Sequence, residues 1–203
     1  MCFDLSISQN VSDCTVLVDR MFEKDLLPVK VAVFSYFFAK RNGISDPEIL
    51  ADIIMASLFK DFGHAMLARE LLVDEKYMGE DSDYAKHPMM SIFLLSKVGG
   101  EFTKNLKRYI LEHHEQADGS GFPREKRELQ ISMVSFIINL SEQIFHYSYS
   151  NRESNSNQNT TEKFKEALKR IRSKTKTEGL NISFPDSLIE SLSGIIKHSD
   201  EEV

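Results

Sequence analysis

Basic residues are in deficit: 25 lysines and arginines stand against 31 aspartates and glutamates, leaving a formal charge of −6. A nucleic-acid binder ordinarily carries a basic face on a basic domain, so this balance argues against a general DNA- or RNA-binding role. Cysteine is scarce as well. Cys2 and Cys14 are the whole complement, and in an acidic chain of intracellular character they read as free thiols rather than a disulfide. Long apolar runs are missing. The most apolar stretch, Val31 to Ala39, is far too short to span a bilayer. Met1-Cys2-Phe3-Asp4 shows no basic segment leading into an apolar run, so a cytoplasmic location is expected. Strand signals are almost absent, and no solenoid-type repeat is visible.

What remains is a chain of 203 residues with 41% hydrophobic content, enough to build a core for one domain. Its pattern predicts an all-α, compact helical bundle. The pattern over the first residues is weak, which suggests an N-terminal segment (1–25) ahead of a helical domain (26–203). Within that domain, Val31, Phe34, Phe37 and Phe38 recur at helical intervals between Leu27 and Lys40, and Asn42-Gly43 provides a stop. Ser45-Asp46-Pro47-Glu48 has capping-box spacing with proline in the first turn. The helix it opens runs through Ile49, Ile53, Ile54 and Leu58, and delivers Lys60, Asp61 and His64 near its end. Further helices are predicted from His87 to Val98, closed by Gly99-Gly100, and from Thr103 to the histidine pair. Three more are predicted over Gln130–Tyr147, Glu162–Lys174 and Pro185–Lys197. The serine- and asparagine-rich stretch 148–161 cannot bury a core and reads as a flexible surface loop. Phe164, Leu168 and Ile171 form an apolar stripe, so Lys163, Lys165, Lys169, Arg170 and Arg172 beside them read as a solvated face. His146 and His198 have no partner spacing.

The densest chemistry lies in His113-His114-Glu115-Gln116-Ala117-Asp118-Gly119-Ser120-Gly121-Phe122-Pro123. Two imidazoles and carboxylates immediately before a glycine loop are the donor types that ligate a borderline metal ion. Gly119 and Gly121 permit positive φ and close backbone approach, so consecutive N–H groups there are candidates to cradle a phosphate, and Phe122-Pro123 to face a partner.

This string resembles the signature of the HD-GYP family of cyclic di-GMP phosphodiesterases, with Phe122 where that family has tyrosine. Lys60-Asp61-Phe62-Gly63-His64 is similar to the family's His-Asp-x-Gly-Lys motif with histidine and lysine exchanged. His87-Pro88 matches its intervening His-Pro, and Phe184-Pro185-Asp186-Ser187-Leu188 echoes its C-terminal segment. The resemblance covers Leu26 to Lys197. It implies an HD-type bundle with histidines and aspartates from several helices around iron or manganese, where a metal-activated water attacks a phosphodiester.

Carried over residue by residue, Asp61, His87, His113 and His114 match family metal ligands. Leu27, Lys60 and Ser141 stand where the family has others. Leu27 cannot ligate, the Lys60 ammonium has donors only, and Ser141 has Glu142 next to it. The implied cofactor is one divalent ion, iron or manganese, at an incomplete site, or none. The favoured reading is a degenerate regulatory or interaction module of cyclic di-GMP signalling with little or no hydrolysis. It would engage cyclic di-GMP or a diguanylate cyclase-type protein through Asp118, Gly119, Ser120, Gly121, Phe122 and Pro123. The alternative is an active phosphodiesterase with a rearranged site, in which His64 supplies the lost imidazole from one helical turn beyond Lys60, and Lys60, Asp61 and His64 act on the phosphate.

Overall fold

A computed structural model describes residues 27–67, 83–98, 102–149, 160–177 and 184–201. Among them are seven α-helices and no strand: α1 (Leu27–Arg41), α2 (Pro47–Phe59), α3 (His87–Val98), α4 (Lys104–Glu112), α5 (Met133–Tyr149), α6 (Thr160–Thr177) and α7 (Asp186–Glu201). The all-α expectation holds. Cys2, Cys14 and segment 1–25, the Gly99-Gly100 stop, and 150–159 of the predicted loop lie outside the described residues, as does the His198 side chain.

Local chemistry explains most boundaries. Gly43, at φ +86°, ends the α1 turn as its sequence position suggested. Helix α2 starts one residue later than the capping-box spacing implied. Asp46, not Ser45, is the cap, and its carboxylate accepts from Glu48 N and Ile49 N. Thr103 caps α4 through Leu106 N at 2.9 Å. Helix α5 begins at Met133 rather than Gln130, because the Gln130 side chain turns back to accept Arg127 N at 2.9 Å and holds 128–130 in a separate short 3-10 turn. At its far end α5 runs into the stretch read as a loop. Ser148 satisfies its hydroxyl on Ile144 O at 2.7 Å, which makes it an acceptable helical residue.

Helix α5 is the spine. Every residue from Val134 to Leu140 is buried, and Ile144 and Phe145 continue the row. Phe34 of α1 meets Phe145 edge-on at 5.7 Å and also touches Phe164 of α6. Phe164, Leu168 and Ile171 are buried while Lys165 and Lys169 are exposed, as the stripe predicted. Phe184, before α7, packs against Phe136. Helices α2, α3 and α4 gather against one side of this α1–α5 core, which brings the end of α2, the start of α3 and the end of α4 together.

Candidate metal centre

Residue types at the ends of three helices build the centre. Helix α2 stops at Phe59, with Lys60 as its cap, and the chain tightens into a 3-10 turn, Phe62–Met66. Gly63 makes that turn possible, since a Cβ there would stand 2.2 Å from His87 O and 2.7 Å from Ser91 N. Ser91 then fastens the turn to α3. Its hydroxyl donates to Lys60 O at 2.6 Å and accepts Gly63 N at 2.7 Å.

Two imidazoles are oriented by the same device. His87 Nδ1 donates to Tyr84 O at 2.8 Å and His113 Nδ1 to Ile110 O at 2.7 Å, each carbonyl lying three residues earlier. A carbonyl only accepts, so in each neutral ring Nε2 is left as a bare lone pair. The two Nε2 atoms face each other at 3.2 Å. Asp61 Oδ1 lies 3.3 Å from His113 Nε2 and 3.4 Å from His87 Nε2. His114 completes a set of four residues whose donor atoms all lie within 4.8 Å of one another. Its buried Nε2 has no hydrogen-bond partner.

Three acceptors at such spacing repel unless a proton or a cation lies between them. Burial pushes His113 below the ordinary imidazole value and His114 well below it, which disfavours the proton. A cation fits: bonds of about 2.0–2.2 Å to one first-row ion set neighbouring ligand atoms about 3.0–3.4 Å apart. Asp61, His87, His113 and His114 therefore suit a borderline divalent ion, which would supply Lewis acidity there.

Beside this set stands a second charge. The Lys60 side chain is 2% exposed, and its Nζ donates to Asp61 Oδ2 and, at 2.5 Å, to Glu142 Oε1 of α5. Burial alone would lower its pKa, but the two carboxylates outweigh it and raise the ammonium above its ordinary value. Burial likewise opposes ionisation of Asp61, and the Lys60 ammonium overcomes this, holding the carboxyl well below the usual range. Both carboxylates engage the Lys60 ammonium in this structure, an arrangement different from the phosphate contact of the rearranged-site reading.

His64 also needs correction. It does not lie one α-helical turn beyond Lys60, because the α-helix has already ended. The 3-10 turn nonetheless sets its ring 4.4 Å from that of His87 and its Nε2 4.0 Å from Asp61 Oδ1. Burial pushes it down to about 4. Leu27 packs against the apolar core. Ser141 donates to Ile137 O at 2.6 Å, and its neighbour Glu142 is the acid that enters the centre.

The glycine loop is stapled from below. Buried Glu115 accepts Arg124 N and Lys126 N, both at 2.8 Å. Gly121 lies against backbone, where a Cβ would meet Gln116 N at 2.3 Å and His114 O at 2.4 Å. Gly119 N donates to Gln116 O, Ser120 N to Asp118 Oδ1 and Phe122 N to His114 O. These three N–H groups, of Gly119, Ser120 and Phe122, are engaged within the loop and its neighbours rather than open to a phosphate. Phe122 stacks on His114 at 4.6 Å, forming a wall of the centre. Pro123 follows a cis peptide bond.

Sequence reading missed Tyr84 and underweighted Glu142. Tyr84 is buried against His64, His87, His114 and Phe122. Its only sequence signal is its place three residues before His87.

The family model described as HD domain matches residues 21–178. The chain belongs to the HD domain family. Its histidine-glycine string resembles the HD-GYP signature. Among solved structures it is similar to a cyclic GMP-AMP specific phosphodiesterase of V. cholerae, V-cGAP3, at 16% identity and a TM-score of 0.56, over 92% of this chain and 47% of that one. It is likewise similar to Bd1817, a HDG"Y"P protein from Bdellovibrio bacteriovorus, at 16% identity and a TM-score of 0.57, over 92% of this chain and 62% of that one. The HD-domain chain thus spans about half to three fifths of the length of those proteins. Comparison with curated proteins found no match. No helix among the described residues is long and apolar enough to cross a membrane.

Proposed function

We propose that this HD-domain protein is a regulatory module of cyclic-dinucleotide signalling that holds one divalent ion, iron or manganese, and binds its ligand or a partner with little or no hydrolysis. The observation that carries the reading is the donor set. Asp61, His87, His113 and His114 converge on one point, whereas a multinuclear hydrolytic centre needs further anionic and imidazole ligands to offset several divalent charges. Lys60 and Leu27 supply none. Cyclic di-GMP is the ligand suggested by the HD-GYP-like string, and a diguanylate cyclase-type protein the corresponding partner, with Asp118 to Pro123 as the docking loop. The V. cholerae neighbour is specific for cyclic GMP-AMP, which makes that dinucleotide the second ligand to try.

The second reading is a phosphodiesterase with a rearranged site. It is favoured by His64, whose buried Nε2 has no hydrogen-bond partner and lies at the edge of the donor set. One experiment separates the two. Manganese-loaded protein is incubated with each cyclic dinucleotide, and binding and linear products are measured in the same samples. Binding without turnover supports the regulatory module. Turnover that disappears in Asp61→Ala and His114→Ala establishes the enzyme instead.

A further inference from the structure

We propose that the Lys60 ammonium occupies a second cation position in this centre, so that a chain lacking it takes up a second divalent ion between Asp61 and Glu142. The inference rests on the one-ion centre proposed above and concerns what limits it to one.

The first argument is the division of Asp61. Its Oδ1 faces the two Nε2 atoms at 3.3 and 3.4 Å, while its Oδ2 accepts from Lys60 Nζ. The carboxylate therefore bridges two positions, one lined by the imidazoles of His87 and His113 and one filled by an ammonium. Glu142, from a different helix, closes the second position at 2.5 Å.

The second argument is the spare donors. Glu142 Oε2 and His64 Nε2 are both buried and have no hydrogen-bond partner. A buried polar atom left unpaired costs free energy, and a native structure keeps few of them. Lys60 donates to one oxygen of each carboxylate, and a divalent ion in its place would have Asp61 Oδ2, both oxygens of Glu142 and the nearby His64 imidazole to draw on.

The third is charge. Two carboxylates contribute two negative charges against one from the ammonium, and imidazoles ligate a metal in their uncharged form. That balance accommodates one dication with modest excess, but two dications beside the ammonium would face strong repulsion at these separations.

Finally, Lys60 is held in place. Its own N–H donates to Ala56 O at 2.8 Å and its carbonyl accepts Ser91 Oγ at 2.6 Å, so the backbone that carries the ammonium is fixed from both sides. An ammonium has hydrogen-bond donors only and provides no coordination position for water. Paired ions clamp the attacking and leaving oxygens of a phosphoryl displacement; here the second position is taken by an ammonium already engaged by two carboxylates. Lys60 thus acts as a built-in cation that turns a two-ion centre into a one-ion site.

The test counts manganese on the full chain. Metal-stripped wild-type protein, Lys60→His and Lys60→Gln are each equilibrated with excess manganese, and bound metal is measured alongside the electron paramagnetic resonance spectrum. The two variants are used together because each keeps a neutral donor for Glu142. One ion per wild-type chain, and one more per folded variant with the spectrum of an exchange-coupled pair, supports the proposal. No gain in a variant that retains the wild-type circular dichroism overturns it, as does a second ion on the wild type. The one-ion reading is judged separately, by the wild-type count: a wild type that binds none sinks that reading, whatever the difference between the chains.

Discussion

Glu142 of α5 holds the ammonium of Lys60 at 2.5 Å across 82 positions of sequence, and Asp61, the next residue along from Lys60, holds it from the other side. An ion triad with a buried cation is weak evidence for stability, but removing only that cation leaves two half-buried carboxylates side by side, 29% and 15% exposed. Lys60→Met is therefore expected to destabilise the fold by about 1–3 kcal/mol, less than a fully buried pair because both acids keep some contact with solvent. Adding Glu142→Leu to it should recover much of the loss. Urea denaturation of the single and double variants checks this, and a harmless single substitution would show that the triad is solvated.

A ligand set that converges on one ion should link metal to stability. Free ion at about 100 times its dissociation constant stabilises the folded state by about 2.7 kcal/mol, so manganese should raise the melting temperature and a chelator should reverse the rise. Asp61→Ala and His113→Ala are expected to weaken metal binding by more than about 100-fold, since even partners outside the ligand set are worth about 10–100-fold. Equal melting shifts in wild type and both variants would place the ion elsewhere.

Gly121 touches backbone on three sides: Gln116 N, His114 O and Glu115 Cα all lie within 2.5 Å of where a Cβ would be. None of these is a flexible side-chain end that moves at low cost. Gly121→Ala should cost about 1–3 kcal/mol or more, as overpacking does, and displace Phe122 from His114. Denaturation together with the imidazole proton resonances of His114 reads both effects.

Glu112 links α4 to α5. Burial pushes its carboxyl up, but hydrogen bonds from Lys126 Nζ at 2.6 Å, Ser132 N at 2.8 Å and Arg108 Nε at 2.9 Å outweigh it and leave the pKa lowered. A carboxyl whose folded value is depressed contributes stability that is present above its unfolded pKa, about 4.3, and is lost as pH falls through the folded value. Glu112→Gln should flatten the acid limb of the stability profile below about pH 4.3. An unchanged acid limb would assign the acid sensitivity to other carboxylates.

The helices were legible in the chain because their signals are local. Apolar residues recur at three- and four-residue intervals, Asp46 and Thr103 cap the turns that follow them, and Gly43 ends one. The donor set was legible for a related reason. His87, His113 and His114 lie at helix ends, and a motif that places a residue at a helix end largely determines where its side chain emerges. The boundary errors arose where a side chain competes with the helix, as at Gln130 and Ser148, since hydrogen bonding decides such positions and periodicity does not.

Lys60 marks the limit of that legibility. Its residue type alone said that it cannot ligate a cation, and this much needed no structure. Whether it reached a phosphate, closed the pocket or paired with an acid depended on which carboxylate the α2–α5 packing brought beside it. That carboxylate is Glu142, one residue from the position the motif comparison had marked. The sequence by itself determined the donor chemistry and the helical frame. The charge balance at the centre was decided by tertiary structure alone, because electrostatic energy depends on distances of a few ångströms between residues far apart in the chain.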